Sequence, residues 1–189
     1  MESLEQLLSK LQLNNHIELT DIPDLDLYMD QVIQLFDNTF NDAKRHEKDK
    51  VLTKTMINNY AKGGLIPPIK NKKYTKEHMI FLSLIYELKG VLSIQDIKLT
   101  LSELIEGSSR SSEELQTFYR HYLSLSKRNS DKFRQDCTEH LSEVEHLLKD
   151  ENAISSEHIM LILTLINMSN IYRKAAEKLV DSLTVQQDK

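Results

Sequence analysis

Glycine and proline occur at positions 23, 63, 64, 67, 68, 90 and 107, and the 82 residues after position 107 contain neither. Tight turns use Gly for positive φ and Pro for a preset φ, so sandwiches, barrels and doubly wound sheets need many of both. With 4 Gly and 3 Pro in 189 residues, the chain is expected to be mostly helical. Its C-terminal stretch is expected to form long helices with few breaks. Hydrophobic residues make up 40% and charged residues 28%, a globular composition and not a disordered one. A chain of this length hides about 70% of its unfolded surface, so a real core is expected.

Apolar spacing predicts the elements. Leu4, Leu7, Leu8 and Leu11 predict a short helix within 1–13. Ile22-Pro23-Asp24 marks a turn, after which Leu27, Val32, Leu35, Phe36 and Phe40 line one face of a helix over 25–42. Residues 43–51 are polar and read as a loop. Thr53 is a good N-cap, and Met56, Ile57 and Tyr60 follow at helical spacing. Gly63-Gly64 ends that helix, with a positive φ expected at Gly64. Leu65-Ile66-Pro67-Pro68 cannot be helical, because each proline disfavours the α conformation before it. The basic stretch 69–74 is short and extended. Thr75 caps a helix carrying Met79, Leu82, Leu84, Ile85 and Leu88, and Gly90 ends it. Ser93 with Asp96 opens another, whose buried face is Ile94, Ile97, Leu101, Leu104 and Ile105. Gly107-Ser108-Ser109 is the best linker in the chain.

Ser111 with Glu114 forms a capping box. The stripe after it is Leu115, Phe118, Tyr122, Leu125, Phe133, Cys137, Leu141, Val144 and Leu148. Asn129-Ser130 weakens its middle, where a break or bend is expected. Ser155-Ser156-Glu157 opens the last helix. From 159 to 168 that helix is apolar nearly all round, so it is expected to be buried on several sides or in a partner.

Charge is distributed unevenly. Residues 1–43 hold one lysine against nine acidic residues, net −8; residues 44–78 hold ten basic against three acidic, net +7; residues 79–189 are net −4. The basic island comprises Lys44, Arg45, Lys48, Lys50, Lys54, Lys62, Lys70, Lys72, Lys73 and Lys76. It can be a solvated loop or a footprint for phosphates.

Other chemistries find little support in the residue pattern. One cysteine allows no internal disulfide and no cysteine-rich zinc site. Cys137 and His140 share a helix face, but His146 lies six residues further on and is rotated about 240° away, so no metal is expected. Cys137 reads as a small core residue, and His16, His46, His78, His121 and His158 as surface or capping residues. No nucleophile elbow, P-loop or dinucleotide fingerprint is present, so neither an enzyme nor a cofactor is expected. The N-terminus shows no signal peptide, and the longest apolar run is too short for a bilayer, which needs about 20 residues. A cytoplasmic protein is expected.

The segment from Thr53 to Ile97 resembles the winged helix-turn-helix domain of the mercury-resistance-regulator (MerR) family. Ile57, Tyr60, Gly64, Leu65, Ile66, Pro67 and Pro68 match the end of its recognition helix and the exit to its wing. Tyr74-Thr75 matches the end of the wing. Met79, Leu82, Ile85 and Leu88, then Ser93, Ile94, Ile97 and Lys98, match the two helices that follow. Where that family has two arginines on the recognition helix, this chain has Thr55 and Asn58, and Asn71-Lys72-Lys73 replaces its Gly-Tyr-Arg wing element. Residues 21–101 also resemble an uncharacterised bacterial domain-of-unknown-function family with the blocks L-T-K-T-M-I-N-N-Y and I-K-N-K-K-Y.

The resemblance implies an all-α protein. It would have an N-terminal helix or arm at 1–23, a MerR-like helix-turn-helix core with a short wing at 24–106, and a C-terminal helical bundle or dimerisation region at 111–185. It implies a bacterial transcriptional regulator that binds double-stranded DNA sequence-specifically as a homodimer, since two half-sites need two recognition helices. The recognition helix at about 53–62 would present Lys54, Thr55, Asn58, Asn59 and Lys62 to the major groove, where amides pair bidentately with adenine. The wing at 69–74 would set Lys70, Asn71, Lys72 and Lys73 on the backbone. No small-molecule effector is indicated. The alternative is a protein–protein adaptor that keeps the fold without DNA.

Overall fold

A computed structural model describes residues 4–106, 111–148 and 157–187. Among them are seven α-helices and one two-stranded sheet: α1 (Leu4–Ser9), β1 (Leu27–Tyr28), α2 (Met29–Phe40), α3 (Lys54–Lys62), β2 (Lys73–Tyr74), α4 (Lys76–Leu88), α5 (Ile94–Glu106), α6 (Ser112–Leu147) and α7 (Glu157–Gln187). The chain is mostly helical, as the scarcity of Gly and Pro requires. The expected linker at 107–109 and the expected cap at Ser155-Ser156 lie outside the described residues.

The chain divides into two compact units: Gln12–Ser126, and Lys127–Lys189 together with Met1–Leu11. The first holds one continuous apolar core. α4 is its centre, with Met79, Ile80, Phe81, Leu82, Leu84 and Ile85 all buried. Phe36 and Phe40 of α2 pack with Tyr86 of α4, the Phe40 and Tyr86 rings stacking at 4.2 Å. Ile57 and Tyr60 of α3, Leu65, and Ile97 and Leu101 of α5 complete the core. The start of α6 joins it through Leu115, Tyr119 and Leu123.

Ile94, expected on the buried face of α5, is exposed because it sits in the first turn of that helix, and the sequence pattern differs from the structure at three further places. First, α2 begins at Met29, not at 25. Leu27 and Tyr28 are taken into an antiparallel ladder, Leu27 opposite Tyr74 and Tyr28 opposite Lys73, and extended Tyr28 is the helix N-cap. Second, α6 runs unbroken through Asn129-Ser130, and Ser130 is buried. Third, the predicted stripe on α6 is displaced near its start, although Leu115, Cys137 and Val144 are buried as expected. Tyr119 and Leu123 are buried while Phe118 and Leu125 are exposed. Tyr119 decides this: its hydroxyl donates to the Ile17 carbonyl at 2.8 Å, which satisfies a polar tip inside an apolar site. Burial there pushes its pKa up to about 12.

In the second unit, Leu8 of α1 is buried, and the Arg134 guanidinium reaches the Leu8 carbonyl. Cys137 and Val144 of α6 and Val180 of α7 are buried too. Burial raises the pKa of the Cys137 thiol. Facing residues of the two long helices, among them Phe133 and Cys137 with Leu165 and Met168, line a small apolar groove of about 180 Å³.

Candidate nucleic-acid interface

α3 is divided by its own periodicity. Ile57 and Tyr60 point into the core, and Met56 and Ala61 pack at its edge. Lys54, Thr55, Asn58, Asn59 and Lys62 are all exposed. Their spacing of i, i+1, i+4, i+5 and i+8 makes one continuous polar face. Thr53 starts the helix by accepting from the Met56 N–H at 3.2 Å.

Two adjacent glycines end α3 for different reasons. A Cβ on Gly63 would lie 2.7 Å from Leu65 Cδ1 and 3.2 Å from the Asn59 carbonyl, so any side chain there would require the buried Leu65 and the helix end to shift. A Cβ on Gly64 would make only ordinary contact with the Lys98 side chain, but Gly64 has a φ of +70°, a left-handed conformation that costs other residues about 1–2 kcal/mol. The Leu65 N–H then donates to the Tyr60 carbonyl at 2.9 Å. The Lys98 ammonium stands beside Gly64, 3.7 Å from where a Cβ would be.

The stretch after Pro67-Pro68 folds back on itself. The Lys73 N–H donates to the Lys70 carbonyl at 3.0 Å, with Asn71 and Lys72 at φ of 51° and 59°. Two left-handed residues in a two-residue loop make a type I′ turn, whose usual second residue is Gly. Lys72 takes that position and accepts the backbone strain, leaving its ammonium exposed at the tip. β1 holds this hairpin. The Lys73 ammonium sits 5.7 Å from the Tyr28 ring centre, and two residues on, Asp30 pairs with Lys54 at 2.7 Å. The segment 28–30 therefore brings the N-terminal end of α3 and the hairpin together.

Imidazole ties the base of the hairpin. His78 is buried; its Nδ1 accepts from the Thr75 N–H at 3.0 Å, and its Nε2 lies 3.2 Å from the Pro67 carbonyl. Burial lowers its pKa from the ordinary 6.5, and this outweighs the Pro67 carbonyl and the carboxylates of Glu77 and Asp26, which raise it. Burial also pushes Glu77 up, but hydrogen bonds from Ser112 and Thr75 more than offset that and leave its pKa below the ordinary range. Beside the hairpin, an open groove of about 470 Å³ is walled by Pro68, Lys70 and Asn71 on one side and by Asp26 and Glu77 on another.

Of the nine residues expected at a DNA surface, eight are exposed and Lys73 is half-buried. They lie on two elements, α3 and the hairpin. Three contributors were not legible in the sequence. Tyr28 and Asp30 are far from the basic island in sequence and reach it only through the β1–β2 ladder. Lys98 belongs to α5 and reaches it beside Gly64. Of the histidines read together as surface or capping residues, His78 is buried and caps, whereas His16 is nearly covered: its Nε2 meets the Ser126 hydroxyl at 2.8 Å and its Nδ1 meets Glu87 at 3.3 Å.

No described helix is long and apolar enough to cross a membrane. No curated protein and no solved structure matches the chain. A family model described as "Domain of unknown function (DUF1836)" matches residues 17–122. These include the core, α3, the hairpin and the first turns of α6, so the chain belongs to the DUF1836 family.

Proposed function

We propose that the protein binds double-stranded DNA sequence-specifically, as a cytoplasmic bacterial transcriptional regulator of MerR-like helix-turn-helix type. α3 enters the major groove and the hairpin rests on the backbone. The observation that carries this reading is the division of α3. A face of two amides, a hydroxyl and two lysines is turned to solvent as a block, while the other face holds the helix rigidly on the core. Asn58 and Asn59 can pair with adenine edges, and lysines can neutralise phosphates. Lys72 adds support: a lysine at a left-handed turn position costs about 1 kcal/mol relative to Gly, and its exposed ammonium gains no packing in return.

One observation favours the adaptor reading. Lys54 and Lys76 are already paired with Asp30 and Asp24, so part of the island's charge is spent within the chain. Fluorescence anisotropy on selected genomic fragments at two salt concentrations separates the readings. Lys72→Gly should stabilise the fold by about 1 kcal/mol yet weaken binding to every duplex and flatten the salt slope by about 1 unit. Asn58→Ala should cost about 1–3 kcal/mol on the preferred site only. Wild-type protein that binds no duplex at low salt leaves the adaptor.

The same reading includes a homodimer. Ile159, Ile162, Leu163 and Ile166 are all exposed, and their spacing of i, i+3, i+4 and i+7 makes a single stripe on α7. A second copy is the partner that two DNA half-sites call for. Light scattering of the full chain should give twice the monomer mass. A monomer at high micromolar concentration sinks the idea.

A further inference from the structure

We propose that His78 is the positioning residue of the hairpin: one neutral imidazole ties both ends of the segment 67–75 to the first turn of α4, and so sets how Lys70, Asn71 and Lys72 are presented. The inference rests on the nucleic-acid reading only for what the hairpin meets.

A backbone N–H can only donate, so the Thr75 N–H at 3.0 Å requires a lone pair on Nδ1. The proton of the neutral ring is then on Nε2, where it donates to the Pro67 carbonyl at 3.2 Å. Pro67 is the last residue before the hairpin's rigid Pro68, and Thr75 is the first after β2. A single side chain thus bridges the two ends of the hairpin, inside a site that leaves the residue 4% exposed. The usual residue at this capping position, Glu, would satisfy Thr75 but set an acceptor against the Pro67 carbonyl. Histidine supplies both an acceptor and a donor.

Protonation breaks the arrangement. The imidazolium has a donor on Nδ1, which faces the Thr75 N–H, and only the Thr75 hydroxyl, already 2.8 Å away, can accept from it. The bond from the Thr75 N–H is lost, while the Thr75 side chain still caps the N3 N–H of α4. The surrounding groups are Asp26 before β1, Glu77 beside it on α4, the Tyr74 ring on β2 at 5.8 Å edge to face, and Lys70 and Lys73 across the groove. The two carboxylates favour the cation, but burial outweighs them and favours the neutral ring. The direction follows from linkage: a His whose folded pKa is depressed contributes stability that is complete above 6.5 and is lost as pH falls below it.

The test uses the full chain and reads two quantities, the NMR protection factor of the Thr75 amide and the anisotropy affinity for a selected genomic duplex, each at pH 7.5 and 5.5. Wild type should lose Thr75 protection at the lower pH, by up to about tenfold where the ring is fully protonated, the worth of about one hydrogen bond, and lose affinity with it. His78→Gln has one acceptor and one donor at similar reach and does not titrate, so it should keep both quantities at both pH values. His78→Leu should show the low values at both. Thr75 protection in His78→Leu equal to wild type at pH 7.5, or a pH dependence that survives in His78→Gln, overturns the proposal. Normal Thr75 protection in a wild-type chain that binds no duplex overturns the nucleic-acid reading while the tie itself stands.

Discussion

Isoleucine is treated in opposite ways in the two compact units. In Gln12–Ser126, Ile57, Ile80 and Ile85 are fully buried; on α7, Ile159, Ile162 and Ile166 are each more than half exposed. The same residue type is enclosed by its own chain in one place and left facing solvent in the other. A contiguous apolar stripe of that kind costs solubility and is normally covered. The first unit therefore contains its own solution to the burial problem, and the second leaves an apolar stripe on α7 exposed. The functional surface follows the same division. α3 can be polar outside because its inner face is fully paid for by the core, whereas α7 has no polar face to offer along 159–168.

The largest test of this contrast is Phe36→Ala. Phe36 packs with Phe40 and Tyr86 at the centre of the first unit, so urea unfolding should show a loss of about 3–5 kcal/mol. A loss below 1 kcal/mol would mean that this core is loose and the contrast false. Lys89→Met comes next. Its ammonium donates to the Val51 carbonyl at 2.6 Å and lies 4.2 Å from the Tyr86 ring centre, and burial lowers its pKa. Removing it strands the carbonyl of a buried residue and should cost about 1–3 kcal/mol. An unchanged unfolding midpoint would show that Val51 and Leu52 hold the loop before α3 by burial alone.

Gly64→Val should cost at least about 1 kcal/mol through backbone strain, read as a lowered Tm. Because a Cβ on Gly64 would make only ordinary contact and the strain lies in the backbone, Gly64→Ala should be strained as well, whereas Gly64→Asn should recover much of the loss, Asn being tolerant of left-handed φ. The smallest effect on folding is expected on α7. Ile162→Ala should change the unfolding free energy of the isolated chain by no more than about 0.5 kcal/mol but weaken self-association, measured by sedimentation. A loss near that of a core isoleucine would show that the stripe is already covered within the chain.

Local signals were readable because their physics is local. Thr53, Thr75, Ser93 and Ser111 were each expected to cap, and each sits at a helix start with its N–H or side chain in the capping bonds. The outward face of α3 followed from Ile57 and Tyr60 alone, and the positive φ of Gly64 from its place after a helix. Long-range pairing was not readable. Nothing local separates Leu27 as a strand residue from Leu27 as the first turn of α2; Tyr74 decides it across 46 intervening positions. Nor does helical spacing choose between Phe118 and Tyr119, one residue apart, as the buried aromatic of α6.

What the sequence by itself determined is the helical class, the caps that open α3, α4, α5 and α6, and the polar identity of the face that α3 would expose. These depend on backbone preferences and periodicity within a few residues, and neighbours in the chain supply all the atoms involved. What only the tertiary structure decided is the junction of Tyr28, Asp30, Lys54 and Lys73, the displaced stripe near the start of α6, and the two-ended tie at His78. Each of these needs a partner atom from a distant segment. A hydroxyl such as that of Tyr119, or an imidazole such as that of His78, is free to be buried only where such a partner is brought to it, because a buried polar group left unpaired costs more than its packing returns.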